Sequence, residues 1–510
     1  MAATSAVDAE AVAAGDARCR AMTPHPEDRV GHVGRAGRVA RIGLALLLAA
    51  GVAACAGVPD PDVDREIGRE VAREVGAEIG LVRDAALNAY VDRVGQRLAA
   101  SLPGRRFTYR FAVVDQDAPN AFAAPGGYVY VSRGLLALMR SEDELAGVLG
   151  HEMEHVEQRH SVQQMRTDSR LGALALPGLV LGSVLGEEAA ALAAAPFAAA
   201  SAGYSRDHER EADALGQRLA ATAGYDPMGI VRVLARMERF LALAARHGHA
   251  ASWFDNHPTT PERVATLTRQ ASGLEAPRRA PFSGDDAFVR RLDGLLVGPD
   301  PAGGVLRGEV FLHPDLGLRI AFPKGWTVRN TRQSVSASAP DGDGVVLFGP
   351  VGRGVADDLP AIADAFAAKL AARTGAAPQQ THGTTSAGVP VRTVSVADAR
   401  GRSPTRLDVT WAAFQGRIHQ VVGAGSETHR AQAREVVRSL GPLGASERAS
   451  IDALRLRVVS ARRGETVAAV AGRVGGAVDA SVAAAINGVE PAATFAGGEP
   501  VKVPVRVPYR

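Results

Sequence analysis

SEDELAGVLGHEMEH, residues 141–155, has the spacing of a buried helix that carries two histidines and a carboxylate. Ser141 can cap its first turn, and Glu144, three residues later, can complete a capping box. Apolar residues then recur every three or four positions and predict a stripe that faces the core. His151 and His155 are four residues apart, so both imidazoles leave the helix on the same side.

Two histidines at this spacing can hold one metal ion, and Glu152 between them can take a proton from an attacking water. A surface helix with scattered charges could match the same short H-E-x-x-H pattern, so the pattern needs support from elsewhere in the chain. A tetrahedral catalytic zinc site has three protein ligands and one open position. The hypothesis of a zinc site therefore predicts a third ligand on another element.

The best candidate for the third ligand follows a stretch rich in Ala, Gly and Leu. Residues 204–216, YSRDHEREADALG, predict a second helix capped near Ser205. Glu209 and Asp213 share one face of it, so Glu209 can bind the metal while Asp213 accepts the second N–H of a ligating histidine. The alternatives are an acidic face exposed to solvent, or His208, a rival ligand that projects from a different face.

The composition narrows the class of protein. The chain has 510 residues, a length that suggests about two to four domains. Apolar residues make up 46%, which is enough to build cores and argues against global disorder. The net charge of +3 is small, and no Lys/Arg run is interleaved with aromatics, which argues against nucleic acid as a partner. Cys19 and Cys55 are the only cysteines, so any metal must be held by histidine and carboxylate.

The order of the motifs resembles that of one family. His151-Glu152-x-x-His155 follows Asn120-Ala-Phe-Ala-x-Pro-Gly-Gly and precedes Ser205-Arg-x-x-Glu209-x-Glu-Ala-Asp213. This combination, within residues 62–272, resembles the HtpX, BepA and CAAX-prenyl-protease family of zinc metallopeptidases. The resemblance implies a mainly α, zincin-like peptidase domain with a small β-sheet and one Zn²⁺ per chain. It also implies His151, His155 and Glu209 as zinc ligands and Glu152 as the catalytic acid and base.

The N-terminal residues have the pattern of a secretion signal. Arginines precede an apolar run at residues 42–51, which is too short to span a bilayer. Small residues then lead to Cys55, and this resembles a bacterial lipobox, in which the thiol is lipidated. We therefore expect a leader at 1–54 and a lipoprotein of the cell envelope, on the periplasmic face of the outer membrane. The alternative is an ordinary cleaved signal or anchor.

The chain also lacks the clear multi-span membrane helices of the HtpX and prenyl-protease branches, and so it resembles the lipoprotein BepA-like branch. The apolar stretch at 171–186 contains Pro177 and several glycines, which favours a buried helical hairpin over a membrane span. Residues 62–100 carry apolar residues at three- and four-residue spacing and predict helix.

Two further features belong to the same unit. His257 lies in a His-Pro loop, where it could reach the fourth zinc position or the developing oxyanion, as a removable plug or an electrophile. The alternative is a packing histidine held by Pro258 and Arg263. Residues Tyr128–Val131 predict a strand whose free edge could pair with an extended peptide, unless it is an ordinary core strand.

The whole chain is predicted to be multidomain. A zinc metallopeptidase domain at 55–275 is followed by a linker at 276–303. Residues 304–443 alternate short strands with two helices and predict an α+β domain for binding or spacing. Residues 450–510 predict a small βααβ domain that resembles a LysM domain, a fold that binds cell-wall glycan. The Gly-Asp-Thr usual in that domain is Gly-Glu-Thr here, and the aromatic often found after it is absent.

The sequence therefore predicts a zinc-dependent endopeptidase that hydrolyses peptide bonds of unfolded, misfolded or misassembled envelope proteins. Its other expected partners are the membrane, through the lipid anchor, and peptidoglycan. The alternative from another class is a periplasmic chaperone or scaffold that binds outer-membrane clients or peptidoglycan with little hydrolysis. A peptidoglycan endopeptidase is a lesser alternative that only the LysM-like segment suggests. The substrate assignment depends on the family resemblance, since the sequence reveals no specificity pocket.

Overall fold

The computed structural model describes residues 61–167, 204–245, 257, 261–275, 284–375, 377–398 and 405–509. The predicted leader at 1–54, Cys55 and the predicted hairpin at 171–186 lie outside these ranges. Within them, no helix combines the length and the apolar character that crossing a bilayer requires.

The first part of the described chain is mainly helical. Residues 62–100, predicted as helix, contain two helices, because Gly80 adopts a φ of +80° and Leu81 then bridges Val114. The elements of this part are α1 (Pro61–Glu78), α2 (Ala85–Ala100), β1 (Arg110–Val114), β2 (Ala121–Ala124), β3 (Tyr128–Ser132), α3 (Arg133–Leu138), α4 (Glu142–Glu157), α5 (His160–Thr167), α6 (Arg206–Thr222), α7 (Gly229–Ala245) and α8 (Pro261–Ser272).

β3 is the central strand of a three-stranded sheet, between β1 and β2. It runs parallel to β1 and antiparallel to β2. The expectation that Tyr128–Val131 offers a free edge is therefore wrong, because both sides of this strand are paired. β2 lies at one edge of the sheet and packs against α4, so a sheet edge still adjoins the helix with the two histidines.

α4 is buried along almost its whole length. Ser141 caps it as predicted, because its side chain accepts a hydrogen bond from the Glu144 N–H at 3.2 Å. The Glu144 carboxylate does not complete the predicted capping box. It accepts instead from the Arg140 N–H and from the buried guanidinium of Arg236. α4 packs against α6 and α7, which encloses its histidines within the helical part.

The middle of the chain is rich in strands. Its elements are α9 (Asp285–Arg291), β4 (Val305–Arg307), β5 (Val310–His313), β6 (Leu318–Ala321), β7 (Thr327–Asn330), β8 (Val335–Ser338), β9 (Val345–Arg353), α10 (Leu359–Thr374), β10 (Gln379–Thr384), β11 (Pro390–Asp398), β12 (Thr405–Phe414), β13 (Arg417–Gly425), α11 (Glu427–Ser439) and β14 (Gly441–Pro442), with short 3₁₀ turns at Pro301–Gly303 and Ala356–Asp358. One antiparallel sheet has the order β10-β11-β12-β13-β9-β8-β7, and another has the order β14-β6-β5-β4. Phe288 and Val289, from the predicted linker, are buried in the core of the helical part.

The C-terminal part has the element order strand, helix, helix, strand. After α12 (Ala445–Ala449) come β15 (Asp452–Ser460), α13 (Val467–Val474), α14 (Ala480–Asn487) and β16 (Pro500–Pro508). β15 and β16 form an antiparallel pair. The predicted multidomain architecture, a mainly helical part followed by a β-rich part, is confirmed at this level. The LysM-like assignment and the domain boundaries stay predictions.

Candidate metal centre

Two helices, α4 and α6, approach each other closely enough to bring three predicted ligands together. They meet at two glycines, since a Cβ on Gly150 would lie only 2.9 Å from the Gly216 carbonyl oxygen. His155 Nε2 lies 3.1 Å from His151 Nε2 and 3.3 Å from Glu209 Oε1. His151 Nε2 lies 3.6 Å from Glu209 Oε2. The three side chains therefore point at one small volume.

His257 supplies a fourth donor atom to the same volume. Its Nδ1 is 2.7 Å from Glu209 Oε1 and 3.3 Å from His151 Nε2. The donor atoms of His151, His155, Glu209 and His257 all lie within 4.8 Å of one another, and all four residues are buried. Zinc bonds of about 2.1 Å in a tetrahedron place neighbouring donors about 3.4 Å apart. The separations of these donors fit a single zinc ion.

The pKa shifts of His155 and Glu209 fit a divalent cation. Burial lowers the pKa of His155 well below its usual value, and the nearby charges of His151 and His257 lower it further, so the imidazole is neutral as a metal ligand must be. Burial by itself would raise the pKa of Glu209. The charge of His257 and the hydrogen bonds from His155 and His257 lower this pKa more strongly, so the carboxyl stays ionised.

Asp213 and Arg263 fix the orientation of the donors. Asp213 Oδ1 lies 3.0 Å from His151 Nδ1, the nitrogen on the far side of the ring from the other donors. Arg263 binds Asp213 with two nitrogens, at 2.5 Å from Nε to Oδ2 and 2.8 Å from Nη2 to Oδ1. Its Nη1 is also 2.9 Å from Glu209 Oε2. One guanidinium thus holds the carboxylates of both Glu209 and Asp213.

Glu152 lies beside the corner of the cluster that His257 occupies. Its side chain is fully buried, and its Oε1 is 3.6 Å from His257 Nε2. A carboxylate at this position can exchange a proton with a group at that corner, as general acid–base chemistry requires. The rival ligand His208 is not a member of the cluster of donors found among the described residues.

Comparison with known proteins identifies the family. A model described as Peptidase family M48 matches residues 85–271. A putative beta-barrel assembly-enhancing protease of Vibrio cholerae is 30% identical over 208 residues, which are 39% of this chain and 42% of that protein. The beta-barrel assembly-enhancing protease of Yersinia pestis is 33% identical over 219 residues, 41% of this chain and 44% of that protein. The metalloprotease YcaL of Escherichia coli K12 is 30% identical over 191 residues, 36% of this chain and 69% of that protein.

The chain belongs to peptidase family M48. This is a family of zinc metallopeptidases, and the matched residues include the four-donor cluster, Glu152, Asp213 and Arg263. The chain spans less than half of the length of the two beta-barrel assembly-enhancing proteases, at 42% and 44%. The match to the family model lies at residues 85–271, which contain the four-donor cluster.

Some side chains of this M48 site were not singled out from the sequence. Tyr204 stacks on the His155 ring, with centroids 3.9 Å apart and planes at 16°. His160 Nδ1 lies 2.9 Å from His155 Nδ1. In the sequence, Arg263 is only a possible packing partner of His257. The one signal for His160 is its place five residues after His155, at the start of the next helix. Tyr204 and Arg263 carry no spacing signal relative to the histidines.

Proposed function

We propose that this M48 chain is a zinc-dependent endopeptidase, with one zinc ion per chain, that cleaves unfolded or misassembled proteins of the bacterial cell envelope. The observation that supports the activity best is the cluster of four buried donor atoms with the Glu152 carboxylate beside one corner. In this proposal His151, His155 and Glu209 are the zinc ligands, and Asp213 fixes the tautomer of His151.

A zinc ion bound by these residues supplies Lewis acidity, which polarises the scissile carbonyl and acidifies the attacking water. The Glu152 carboxylate accepts the proton of that water and then donates it to the leaving amine nitrogen. Because Glu152 is fully buried, the proton it holds is kept from bulk water until the amine departs. Arg263 keeps the Asp213 carboxylate ionised and holds both Asp213 and Glu209 in place while the charge at the site changes.

His257 has to leave its corner during turnover if that corner is where water and substrate bind. Its Nδ1 lies at hydrogen-bond distance from Glu209, which supports the removable plug over the electrophile that the sequence also allowed. The two roles predict opposite results for His257→Ala. Loss of a plug raises the cleavage rate of an unfolded protein, whereas loss of an electrophile lowers it.

The class of substrate follows from the edge strand next to α4. β2 lies at the edge of its sheet, and an extended peptide could add to it by main-chain hydrogen bonds. Folded proteins offer few extended segments, so unfolded chains are the substrates this arrangement favours. The names of the relatives, beta-barrel assembly-enhancing proteases, support a place in the envelope. Lipidation at Cys55, the periplasmic face of the outer membrane and glycan binding by residues 450–510 belong to the same proposal.

The test compares two carboxylates of one helix in the full chain. Glu152→Gln is expected to retain about one zinc per chain and to cleave an unfolded protein about 10²- to 10⁴-fold more slowly. Glu154→Gln is the matched control, because Glu154 is also buried on α4 but binds Gln158 and is not a donor in the cluster. Elemental analysis measures the zinc, and gel densitometry measures cleavage. Equal cleavage by wild type and Glu152→Gln would show that the proposed chemistry is wrong.

The alternative function, binding without hydrolysis, is favoured by the position of His257 in the fourth corner of the cluster. An unfolded protein that aggregates on dilution distinguishes the two. If Glu152→Gln suppresses aggregation as well as wild type does, and wild type leaves the client uncut, the chain is a chaperone. If wild type cuts the client, the peptidase proposal stands.

A further inference from the structure

The second histidine of the metal motif is oriented by another imidazole. If His155 binds the proposed zinc through Nε2, which faces His151 and Glu209, the proton of the neutral ring is on Nδ1. That Nδ1–H points at His160 Nδ1, which is 2.9 Å away and accepts the hydrogen bond. The proton of His160 is then on Nε2, where it faces Glu211 Oε2 at 3.3 Å. Glu211, His160 and His155 form a chain of hydrogen bonds from the surface to the donor cluster.

The backbone that carries His160 is held in an unusual conformation. Arg159, between α4 and α5, has a φ of +59°, in the left-handed region that residues other than glycine rarely adopt. Its guanidinium is buried and binds both carboxylate oxygens of Asp64, from Nε to Oδ2 and from Nη2 to Oδ1, each at 2.7 Å. Asp64 lies in the first turn of α1 and is 1% exposed. A distant helix therefore holds the turn that places His160.

We propose that Asp64, Arg159 and His160 together position the metal ligand His155. α1 fixes the turn at Arg159, the turn fixes His160, and His160 fixes which nitrogen of His155 faces the metal. These are positioning residues, because none of the three contributes a donor atom to the cluster. The inference rests on the proposed zinc site. It adds that zinc binding depends on α1, although α1 contributes no donor atom to the cluster.

The two histidine ligands are supported differently. His151 faces the carboxylate of Asp213, whereas His155 faces the imidazole of His160. Partners of this kind orient a ligating ring, and their loss lowers metal affinity about 10- to 100-fold. A loss of zinc affinity is therefore the result that a positioning role predicts.

Two substitutions of His160 separate positioning from packing in the full chain. His160→Asn places an amide oxygen near the position of Nδ1 and keeps a hydrogen-bond acceptor for His155, while His160→Phe keeps the ring shape and removes the acceptor. Zinc affinity is measured by competition with a chromophoric chelator. We expect His160→Phe to bind zinc about 10- to 100-fold more weakly than wild type. His160→Asn should bind more tightly than His160→Phe, whereas a packing role predicts the reverse order. The reverse order, or equal affinity of His160→Phe and wild type, overturns the inference.

A second pair of variants tests the turn. Arg159→Ala and Arg159→Gly both leave Asp64 without its guanidinium, but only glycine adopts the left-handed conformation without strain. We expect Arg159→Ala to lose about tenfold or more in zinc affinity and Arg159→Gly to recover part of the loss. Arg218→Ala, an exposed arginine of α6, is the control and should bind zinc as wild type does. Equal affinities of the two Arg159 variants overturn the role of the turn. If wild type binds no zinc, the proposed function fails together with this inference, whereas unchanged variants of a zinc-binding wild type refute this inference alone.

Discussion

At the scale of single residues, Arg263 connects both carboxylates of the site. A lysine in its place would keep the charge but could not bind Asp213 with two nitrogens and Glu209 with a third. We expect Arg263→Lys to bind zinc about 10- to 100-fold more weakly, because Asp213 and Glu209 lose their fixed orientation. Chelator competition measures the affinity, and Arg269→Lys, a more exposed position of the same helix, is the control. Zinc affinity equal to that of the control would contradict this account of Arg263.

The sequence could indicate four of the site residues because they form two pairs, each on one helix. His151 and His155 form one pair, and Glu209 and Asp213 form the other. Within each pair, the spacing alone places both side chains on the same face of the helix. The partners of these side chains come from other elements. Arg263 reaches Asp213 across 50 positions of the chain, and nothing in the local pattern encodes that distance. Long-range packing decides such contacts, so they become visible only in the folded chain.

A buried histidine in the β-rich part makes stability depend on pH. His419 is stacked on Phe348, and burial, followed by the charges of Arg417 and His313, lowers its pKa to about 4. Because the unfolded chain has the ordinary value of 6.5, it binds more protons than the folded chain below that pH. The contribution of His419 is therefore present above pH 6.5 and is lost as the pH falls toward 4.

We expect wild type to lose about 2 kcal/mol of unfolding free energy through His419 between pH 7 and pH 5. His419→Leu removes this titration, so its loss over the same range should be smaller by that amount. Urea unfolding followed by tryptophan fluorescence measures both proteins, since Trp326 and Trp411 lie in the cores of this part. Parallel pH profiles of the two proteins would show that His419 does not contribute.

At the scale of elements, the close approach of α4 and α6 depends on glycine. A Cβ on Gly216 would lie 2.7 Å from the backbone N and Cα of His151, which cannot move without moving a side chain of the donor cluster. We expect Gly216→Ala to destabilise the fold by about 1–3 kcal/mol and to weaken zinc binding, because it separates the two helices that carry the proposed zinc ligands. Gly76→Ala is the control, since a Cβ there would meet nothing within 4 Å. That control should be neutral or stabilising by up to about 1 kcal/mol. Thermal unfolding and chelator competition measure the two effects, and similar behaviour of both variants would refute this role for Gly216.

Local sequence signals predict two helix caps and one strand correctly, but they do not predict which strands pair with that strand. The caps at Ser141 and Ser205 and the strand at Tyr128–Val131 follow from side chains within a few positions of each other, and the structure has all three. The place of that strand in the centre of its sheet depends instead on pairing with β1 and β2. Strand order is a property of the whole sheet, so alternation of apolar residues cannot reveal which strand lies at an edge.

At the scale of the whole molecule, the C-terminal part shares a core with the metal-binding part. Leu456 and Ile486 are buried in the same cluster as Leu145 and Leu149 of α4, and Leu296 bridges Arg455. Changes of composition along the chain predict separate modules. The composition cannot reveal that these modules contact each other, because an apolar residue looks the same in sequence whether it packs inside its own module or against another module.

Lys502 of β16 is the polar centre of this contact. It is fully buried, and its Nζ donates to the carbonyl oxygens of Ala137 and Met139 at 2.6 and 2.7 Å, at the end of α3. Burial, and then the charges of Arg236 and Arg140, lower the pKa of Lys502 well below its usual value. These bonds satisfy carbonyls that the helix end leaves without an intrahelical partner, just ahead of the helix with the metal motif.

Lys502→Met keeps the length of the side chain and leaves those two carbonyls buried without the amine. We expect it to lower the unfolding free energy of the full chain by about 1–3 kcal/mol and to loosen the C-terminal part, because a buried acceptor that loses its donor is costly. Lys324→Met, at an exposed position of the β-rich part, should change neither property. Urea unfolding measures the free energy, and limited proteolysis followed by mass spectrometry shows whether residues 450–510 are released first. If Lys502→Met resists urea and protease as the control does, the docking of the C-terminal part depends on its apolar contacts alone.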